Sequence, residues 1–371
     1  MNVRLMKLGF AVTFAFMYVS PLQAAKLDAQ TPAKFVTQSV FSDNGIPWGM
    51  TWLPNGEMLV SMRGAELKLI KNGHAKTIKG LPDIAEGGQG GLLDIIVHPN
   101  YENNGWIYFS YTKANSQNNK NTAIMRGRLK GTQLVEQQSI YQAQAYNSGG
   151  RHFGSRLAFD DKGYLYFSIG DRGQRDINPQ SLQRDAGKVY RLHDDGRIPE
   201  DNPFTKNGTS KSAIYSYGHR NPQGMAKHPI TGDIWTHEHG PKGGDEVNII
   251  AKGKNYGWPV VSFGVNYSGS QFTKLTEQKG MTQPTWQWTP SIAPSGMVFV
   301  TSDKYPSLKG SLLVGSLKFG QVIQLLLEGD RIIGQKIIKD NLMRVRNVSQ
   351  GPDGYIYIAI DGRGIVKLTT Q

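Results

Sequence analysis

The chain has 371 residues, a formal net charge of +13 and no cysteine. Without cysteine a disulfide framework is excluded, so core packing and bound ions must stabilise the fold. Excess positive charge is typical of proteins that meet an acidic ligand, nucleic acid or a membrane surface. Because the basic residues are scattered and form no runs, no nucleic-acid partner is expected.

The first segment in chain order, residues 1–24, has the pattern of a secretory signal peptide. Basic Arg4 and Lys7 precede a short apolar stretch, which is followed by small residues. A membrane anchor is the alternative, but about a dozen apolar residues are too few to span a bilayer. We therefore expect cleavage after Ala24 or Ala25, which removes two basic residues and no acid and lowers the charge from +13 to +11. The mature protein is expected in the periplasm or the medium, without stable membrane insertion.

The remainder, residues 25–371, repeats one pattern six times. Each copy is a short apolar strand, a turn rich in Pro, Asp, Asn or Gly, and a second alternating strand. The six turns fall near Asn55, Asn100, Lys162, Thr231, Tyr305 and Asp353. A strand-rich unit that recurs at about 45 residues or more is typical of propeller blades. The pattern predicts a single all-β domain, a six-bladed β-propeller with four-stranded antiparallel blades; a β-sandwich would not explain six copies of one turn.

Two further features complete this fold prediction. The early strand "KFVTQSVF" is left over from the repeats and is free to pair with the C-terminal "GIVKLTT". This pairing would close the ring with the N- and C-terminal strands and leave no exposed edge. The insertions "INPQSLQRDAG" and "NYSGSQFTKLTEQ" are expected on the face where propellers usually carry function.

The inner strands of a propeller start near a shared axis, and here their starts are rich in cationic side chains. The segment "RHFGSRL" places His152 between Arg151 and Arg156, although cations buried without a partner are unfavourable. Guanidinium groups bind carboxylates and phosphates in a bidentate manner, so the convergence predicts a small ligand with several anionic groups. Corresponding blade positions contribute Gln89, Arg220, Asn221, Lys318, Arg344 and Arg346. Taken singly, each of these residues also fits a purely structural or solvated role.

A second polar cluster lies within residues 238–259. Gly240 and Pro241 begin a tight glycine-rich loop with exposed backbone carbonyls, which Asp245 and Glu246 follow. Carbonyl and carboxylate oxygens in the absence of cysteine suit a hard cation, Ca²⁺ above all. A turn rich in Asp and Gly without a metal is equally compatible with this spacing.

Five motifs carry a resemblance to a known enzyme family. They are "GQGGLLD", "HFGSRLAFD", "YGHRNPQGMA", "EHGPKGGDEVNI" and "GKNYGWP", and the similarity extends from Ile46 to Thr369. The chain resembles the soluble quinoprotein glucose dehydrogenases and aldose sugar dehydrogenases, most of all the aldose sugar dehydrogenases of bacterial envelopes. These are six-bladed propellers that use pyrroloquinoline quinone (PQQ) and calcium.

The resemblance implies a role for each matched residue. PQQ carries three carboxylates, and its binding residues would be Gln89, His152, Arg220, Asn221, Lys318, Arg344 and Arg346. The catalytic residues would be His152, which removes the proton of the anomeric hydroxyl as a general base, together with Asp171 and Arg220. The metal residues would be Gly240, Pro241 and Asp245 for a Ca²⁺ beside the cofactor, and Glu246 and Tyr256 for a structural Ca²⁺.

The reaction implied by the resemblance is the oxidation of an aldose to its lactone, with hydride transfer to the quinone. The electron acceptor that reoxidises the quinone is unknown, and a monomer or homodimer is expected. Two other readings stay open: a non-catalytic ligand-binding propeller and a calcium-dependent propeller lactonase. A lactonase would need carboxylates around its metal in place of a ring of arginines.

This chain departs from the glucose dehydrogenases in two places. Arg151 stands where they have an acid just before the base, and a neighbouring cation lowers the pKa of a histidine. The aromatic loop that packs on the sugar has no clear counterpart, so only Trp286 and Trp288 are candidates for that contact. An open sugar site follows from this, and we expect broad acceptance of aldoses without a strict preference for glucose.

Overall fold

The computed structural model describes residues 34–206 and 208–371. The predicted signal peptide and its cleavage after Ala24 or Ala25 lie outside these residues. Residues Lys34–Gln371 form one compact unit. Within the described part of the chain, no helix has the length and apolar character needed to cross a bilayer.

Six four-stranded antiparallel sheets make up the fold. The first half of the chain forms β1 Phe35–Ser42, β2 Pro47–Trp52, β3 Met58–Met62, β4 Glu66–Lys71, β5 His74–Ile78, β6 Leu92–Val97, α1 Tyr101–Asn104, β7 Trp106–Ala114, β8 Lys120–Lys130, β9 Gln133–Gln142, β10 Leu157–Phe159, β11 Leu165–Ile169 and β12 Lys188–Leu192. The second half forms β13 Ile214–Tyr217, β14 Pro222–Lys227, β15 Ile234–Glu238, β16 Asp245–Ile249, β17 Trp286–Trp288, β18 Pro294–Phe299, β19 Leu312–Ser316, β20 Gln321–Glu328, β21 Arg331–Lys339, β22 Val345–Gln350, β23 Ile356–Ile360 and β24 Gly364–Thr370.

The six-bladed propeller predicted from the repeats is confirmed. Blades one to five are β2–β5, β6–β9, β10–β13, β14–β17 and β18–β21, each in sequence order. Each predicted turn joins the first two strands of one blade. In blade six, β1 pairs with β24 from Phe35 opposite Thr370 to Ser42 opposite Gly364. The two ends of the described chain therefore close the ring, as expected.

Burial follows the position of each strand within its blade. The second strands of five blades, β3, β11, β15, β19 and β23, are buried at every residue. The outermost strand β5, in contrast, buries only its last residue. The core lies between adjacent blades: Leu59 and Leu67 of blade one pack with Ile95 and Phe109 of blade two. Each blade therefore needs a neighbour on both faces, which a closed ring provides.

Arg156 lies at the centre of the ring and joins four other blades. Its guanidinium Nη1 approaches Asp94 Oδ1 at 3.2 Å and donates to the Trp48 carbonyl, also at 3.2 Å. Nε donates to the carbonyl of Gln223 at 2.7 Å, and Nη2 to that of Arg346 at 3.0 Å. The prediction that Arg156 faces an anionic ligand is therefore wrong, because the buried carboxylate of Asp94 is its anion.

Candidate active site

His152 lies in the connection that leads from β9 to β10. Its backbone has a φ of 58°, in the left-handed region that is unfavourable for most residues. The N–H of His152 donates to Gln89 Oε1 at 2.7 Å, and its ring Nδ1 lies 2.7 Å from Asp171 Oδ1. Arg172 reinforces the segment, since its guanidinium donates to the Arg151 carbonyl. Gln89 thus fixes the backbone of His152, and Asp171 fixes its ring.

Asp171 follows β11 and is almost fully buried. Its Oδ1 also accepts the N–H of Gly173 at 2.7 Å, and its Oδ2 accepts Nε1–H of Trp258 at 2.9 Å. Burial opposes ionisation, but the hydrogen bond from His152 and the nearby positive charges outweigh it, so the pKa of Asp171 lies below its usual value. An ionised carboxylate only accepts hydrogen bonds, so the His152 proton resides on Nδ1 and leaves Nε2 as an acceptor.

The environment of His152 lowers its pKa below 6.5. Burial is the largest cause, and the positive charges of Arg220 and Arg151 add to it, while Asp171 opposes it. The prediction that Arg151 lowers this pKa has the right direction, although burial contributes most. His152 is therefore neutral near pH 7, the state that a general base requires.

Arg220 stands at the start of β14, across the cavity from the histidine segment. Its Nη1 donates to the carbonyl of His239 at 2.9 Å, and its guanidinium carbon lies 5.3 Å from the centre of the Trp258 ring. The backbone N–H of Arg220 donates to Glu238 Oε2 at 2.5 Å. These contacts fix a cation at the wall of the cavity.

These residues meet in a cavity of about 520 Å³, a size suited to a small-molecule ligand. Five of the predicted site residues line it: Gln89, His152, Asp171, Arg220 and Pro241. Residues that sequence reasoning missed complete the lining, among them Gln174, Arg175, Asp176, Trp258, Asn266 and Tyr267. The two insertions expected on the functional face supply Ile177 and the pair Asn266 and Tyr267, so that expectation is confirmed.

Trp258 reaches the cavity because the segment after β16 runs alongside blade three. Asn255 pairs with Tyr217 at the end of β13, and the N–H of Trp258 donates to the Gly218 carbonyl at 2.9 Å. The motif "GKNYGWP" contained this tryptophan, but only Tyr256 was singled out from it. The candidates Trp286 and Trp288 are wrong, because both pack in the core between blades four and five.

The cations predicted from blades five and six lie at the same end of the ring but do not line this cavity. Arg346 is buried, and its Nε and Nη2 bind the two oxygens of Asp361 at 3.1 and 2.8 Å. Arg344 Nε also approaches Asp361, at 3.3 Å, yet 57% of its side chain is exposed. Lys318 is exposed and lies 4.9 Å from the centre of the Phe319 ring. The charges open to a ligand here are those of Arg344 and Lys318.

Asn221 is buried beside the histidine segment and also lies outside the cavity lining. Its Oδ1 accepts the N–H of Gly154 at 3.1 Å, and its own N–H donates to Glu238 Oε2 at 3.3 Å. It therefore connects the start of β14 to the turn that follows His152.

The predicted metal loop is built around the carboxylate of Asp245. Its Oδ1 accepts the N–H of Gly240 at 2.8 Å, and its Oδ2 accepts the N–H groups of Ile292 and Ala293, both at 2.8 Å. The Gly240 carbonyl accepts no hydrogen bond from the described residues. This leaves a backbone oxygen available to a hard cation next to Pro241, which lines the cavity.

Glu246 and Tyr256 meet with Glu238 at a second, smaller cavity. Glu238 and Glu246 face each other across β15 and β16. Burial and the adjacent charge of Glu238 raise the pKa of Glu246 to about 8, so a cation here would relieve an unfavourable pair. Among residues 34–206 and 208–371, no three His, Cys, Asp or Glu side chains form a metal-binding group. Any metal bound here would need further oxygen ligands, such as backbone carbonyls, side-chain amide oxygens or water.

Comparisons with known proteins agree with this fold. A family model described as glucose/sorbosone dehydrogenase matches residues 45–367. The aldose sugar dehydrogenase YliI of Escherichia coli is 41% identical over 326 residues, which is 85% of this chain and 87% of that protein.

Two solved structures give the same picture. The soluble aldose sugar dehydrogenase of E. coli in its apo form has a TM-score of 0.86 and 38% identity, covering 91% of this chain and 100% of that one. The PQQ-bound aldose sugar dehydrogenase of Streptomyces coelicolor has a TM-score of 0.75 and 26% identity, with coverages of 92% and 99%. The chain therefore belongs to the glucose/sorbosone dehydrogenase family of oxidoreductases.

Proposed function

We propose that this protein oxidises aldose sugars at the anomeric carbon to lactones, using PQQ and Ca²⁺, with His152 as the general base. The observation that carries the proposal is the buried pair of His152 and Asp171, whose geometry leaves Nε2 of a neutral histidine available in a cavity walled by Arg220. The names of the E. coli and S. coelicolor relatives supply the substrate class and the cofactor.

The residues of the cavity fit PQQ. An orthoquinone with three carboxylates needs guanidinium or ammonium partners and a flat aromatic wall. Arg220 and Trp258 line the cavity, and Lys318 and Arg344 present open charges at the same end of the ring. The cofactor would be held by Gln89, His152, Arg220, Lys318 and Arg344. The buried Asn221 and Arg346 would support this set through their contacts with Gly154 and Asp361.

His152 would perform the proton transfer. Its Nε2 accepts the proton of the anomeric hydroxyl while Asp171 holds Nδ1–H and stabilises the imidazolium that forms. When bound, PQQ supplies the acceptor for the hydride that leaves the anomeric carbon. Arg220 contributes a fixed positive charge to the site.

We assign Ca²⁺ to two positions. The carbonyls of Gly240 and Pro241 would bind the ion beside the cofactor, with Asp245 as the outer residue that shapes the loop. Glu246 and Tyr256 would bind a structural ion, supported by the raised pKa of Glu246. Ca²⁺ accepts mixed carboxylate and carbonyl oxygens in flexible geometry, which fits both sets.

We also propose a location and partners for the protein. The pattern of residues 1–24 supports export to the periplasm or the medium. We expect a monomer or homodimer that passes electrons to an unidentified acceptor. Tyr267 lines the cavity and has 74% of its surface exposed, so it does not enclose a sugar tightly. This supports broad acceptance of aldoses.

Reconstitution of the purified protein tests this function. Adding PQQ and Ca²⁺ should give the absorbance spectrum of the bound oxidised cofactor, and adding an aldose should convert it to the reduced form. The same preparation should reduce an electron-accepting dye only when PQQ and an aldose are both present. If PQQ binds but no sugar changes its spectrum, the protein is a binding propeller and the enzymatic proposal is wrong.

A further inference from the structure

Arg151 is a cation of the active-site cavity whose side chain has no hydrogen-bond or ion-pair partner among residues 34–206 and 208–371. It precedes His152, lines the same cavity and is exposed. Among the described residues, its guanidinium makes no hydrogen bond and no ion pair; only its backbone carbonyl is used, by Arg172. The side chain lies over Gly173, where a Cβ would overlap its Nε. The glycine thus makes room for a charged group that has no counter-ion in the part of the chain that the structure describes.

The other two arginines of the cavity differ from Arg151 in this respect. Arg175 binds Asp176 through Nε at 2.9 Å and donates to Asn266 Oδ1 at 2.9 Å. Arg220 donates to the carbonyl of His239. Arg175 is therefore neutralised by an adjacent carboxylate and Arg220 is held by a carbonyl, whereas the charge of Arg151 is free to bind a ligand.

We propose that Arg151 makes the site select aldoses that carry an anionic group beyond C5, namely hexuronic acids or aldose 6-phosphates. In a pyranose ring only the ring oxygen separates the anomeric carbon from C5. A substituent on C5 therefore lies near the anomeric carbon, on the ring-oxygen edge of the sugar, and in the β anomer it is on the same face as the hydroxyl that His152 deprotonates. The residue next to the base is then the one placed to meet that substituent, and a guanidinium binds a carboxylate or phosphate in a bidentate manner.

The substrate side of the cavity is the place where this charge is needed. Lys318 and Arg344 provide open charges for the cofactor from blades five and six, and Arg220 adds one from blade four. Arg151 is instead joined by a peptide bond to the residue that must touch the sugar hydroxyl. Because it is exposed within an open cavity, an anionic sugar can reach it from solvent.

This inference rests on the proposed function and changes only the substrate. For a hexuronic acid, the anomeric hydroxyl proton goes to His152 and the hydride from the anomeric carbon goes to PQQ, so the product is the lactone of an aldaric acid. The carboxylate on C5 takes no part in the chemistry and serves only for binding. Its effect should therefore appear mainly in KM.

The test compares D-glucuronate, D-glucose 6-phosphate and D-glucose as substrates of the PQQ-reconstituted protein at low ionic strength. We expect kcat/KM for at least one anionic sugar to exceed that for glucose by about tenfold, the size of one charge-assisted hydrogen-bonded contact. Which of the two anions gains more distinguishes carboxylate from phosphate recognition. The preference should decrease at high salt, because screening weakens an exposed ion pair.

Two substitutions and one control sharpen the test. Arg151→Gln should abolish the preference, read as the ratio of kcat/KM for the anionic sugar to kcat/KM for glucose in the same variant, while Arg151→Lys should retain part of it. Arg331→Gln, on the outer strand β21, removes the same charge from the surface away from the cavity and should leave the preference unchanged. Calorimetric titration of the cofactor-free proteins with sodium D-glucuronate should give affinities in the same order: wild type and Arg331→Gln highest, Arg151→Lys lower and Arg151→Gln lowest.

The outcomes that overturn the inference are distinct from those that overturn the proposed function. Equal kcat/KM for all three sugars in the wild type, or an anion preference that survives Arg151→Gln, would refute the role of Arg151. A weaker PQQ affinity of Arg151→Gln with the preference unchanged would assign the residue to the cofactor and would also refute it. Absence of oxidation of any sugar would instead contradict the proposed function.

Discussion

Arg156 and Arg151 are five residues apart in the sequence and occupy opposite environments. Arg156 is buried on the axis, where Asp94 and three carbonyls use its guanidinium, and burial lowers its pKa to about 10. Arg151 is exposed in the cavity and has no protein partner among the described residues. The comparison shows that one segment supplies both a buried cation that is paired within the ring and an exposed cation that faces the cavity.

The largest effect on activity is expected at His152, which lies between Arg151 and Arg156. His152→Ala removes the proton acceptor and should lower kcat by about 10³-fold with any aldose. Steady-state dye reduction measures this loss, and the PQQ absorbance spectrum serves as the control for cofactor binding. Full binding together with full activity would show that another group is the base.

Substitution of Arg156, in contrast, should lower the stability of the fold. Arg156→Met leaves Asp94 as a buried, unpaired carboxylate and should lower the free energy of unfolding by about 3 kcal/mol. Urea unfolding followed by tryptophan fluorescence measures the change. Arg151→Met, the matched control five residues away, should change it by less than about 0.5 kcal/mol. Equal losses in both variants would contradict the division between the two arginines.

A somewhat smaller effect is expected at the carboxylate pair of Glu238 and Glu246. If Glu246 binds Ca²⁺ beside Glu238, the ion should raise the free energy of unfolding by about 2.7 kcal/mol at a concentration of 100 Kd. Glu246→Gln should remove most of this gain. Thermal unfolding with Ca²⁺ and with a chelator measures it, and Mg²⁺ is the control ion. A gain that persists in Glu246→Gln would place the ion elsewhere.

The smallest effect concerns the pH dependence of activity with a neutral sugar. Protonated His152 cannot accept a proton, so kcat/KM for glucose should fall as pH decreases through a pKa below 6.5. Arg151→Gln removes one of the charges that lower this pKa, so the fall of kcat/KM at low pH should begin at a slightly higher pH. The pH profile of both proteins measures the shift, and a downward movement would contradict it.

The fold could be predicted almost completely because its evidence is local. Six copies of one strand–turn–strand pattern are visible within short windows, and the spare strand β1 identifies the closing partner β24. The cavity was predicted in part. His152 and Arg220 belong to motifs long enough to be recognised. Trp258 also lies in such a motif, but it reaches the cavity, as does Tyr267, only because a long insertion runs along blade three, which no local pattern predicts.

The ion pair of Arg156 and Asp94 on the propeller axis could not be predicted from the sequence. Arg156 and Asp94 are separated by 62 positions, and no spacing rule connects them. Three cations within six residues indicated an anion, but the pattern does not distinguish an internal carboxylate from a ligand. The same limit applies to Arg346, whose charge is used by Asp361. Only the three-dimensional placement separates cations that hold the ring together from cations that remain free.

The pairing of β1 with β24 has a consequence for how the protein is made. Residues Phe35–Ser42 leave the ribosome about 320 residues before their partner Gly364–Thr370. At about 5–20 residues per second, the first strand waits on the order of tens of seconds for its partner. During this interval it offers an open edge to any other nascent chain, so exchange of this strand between two copies is the misassembly to which the protein is most exposed.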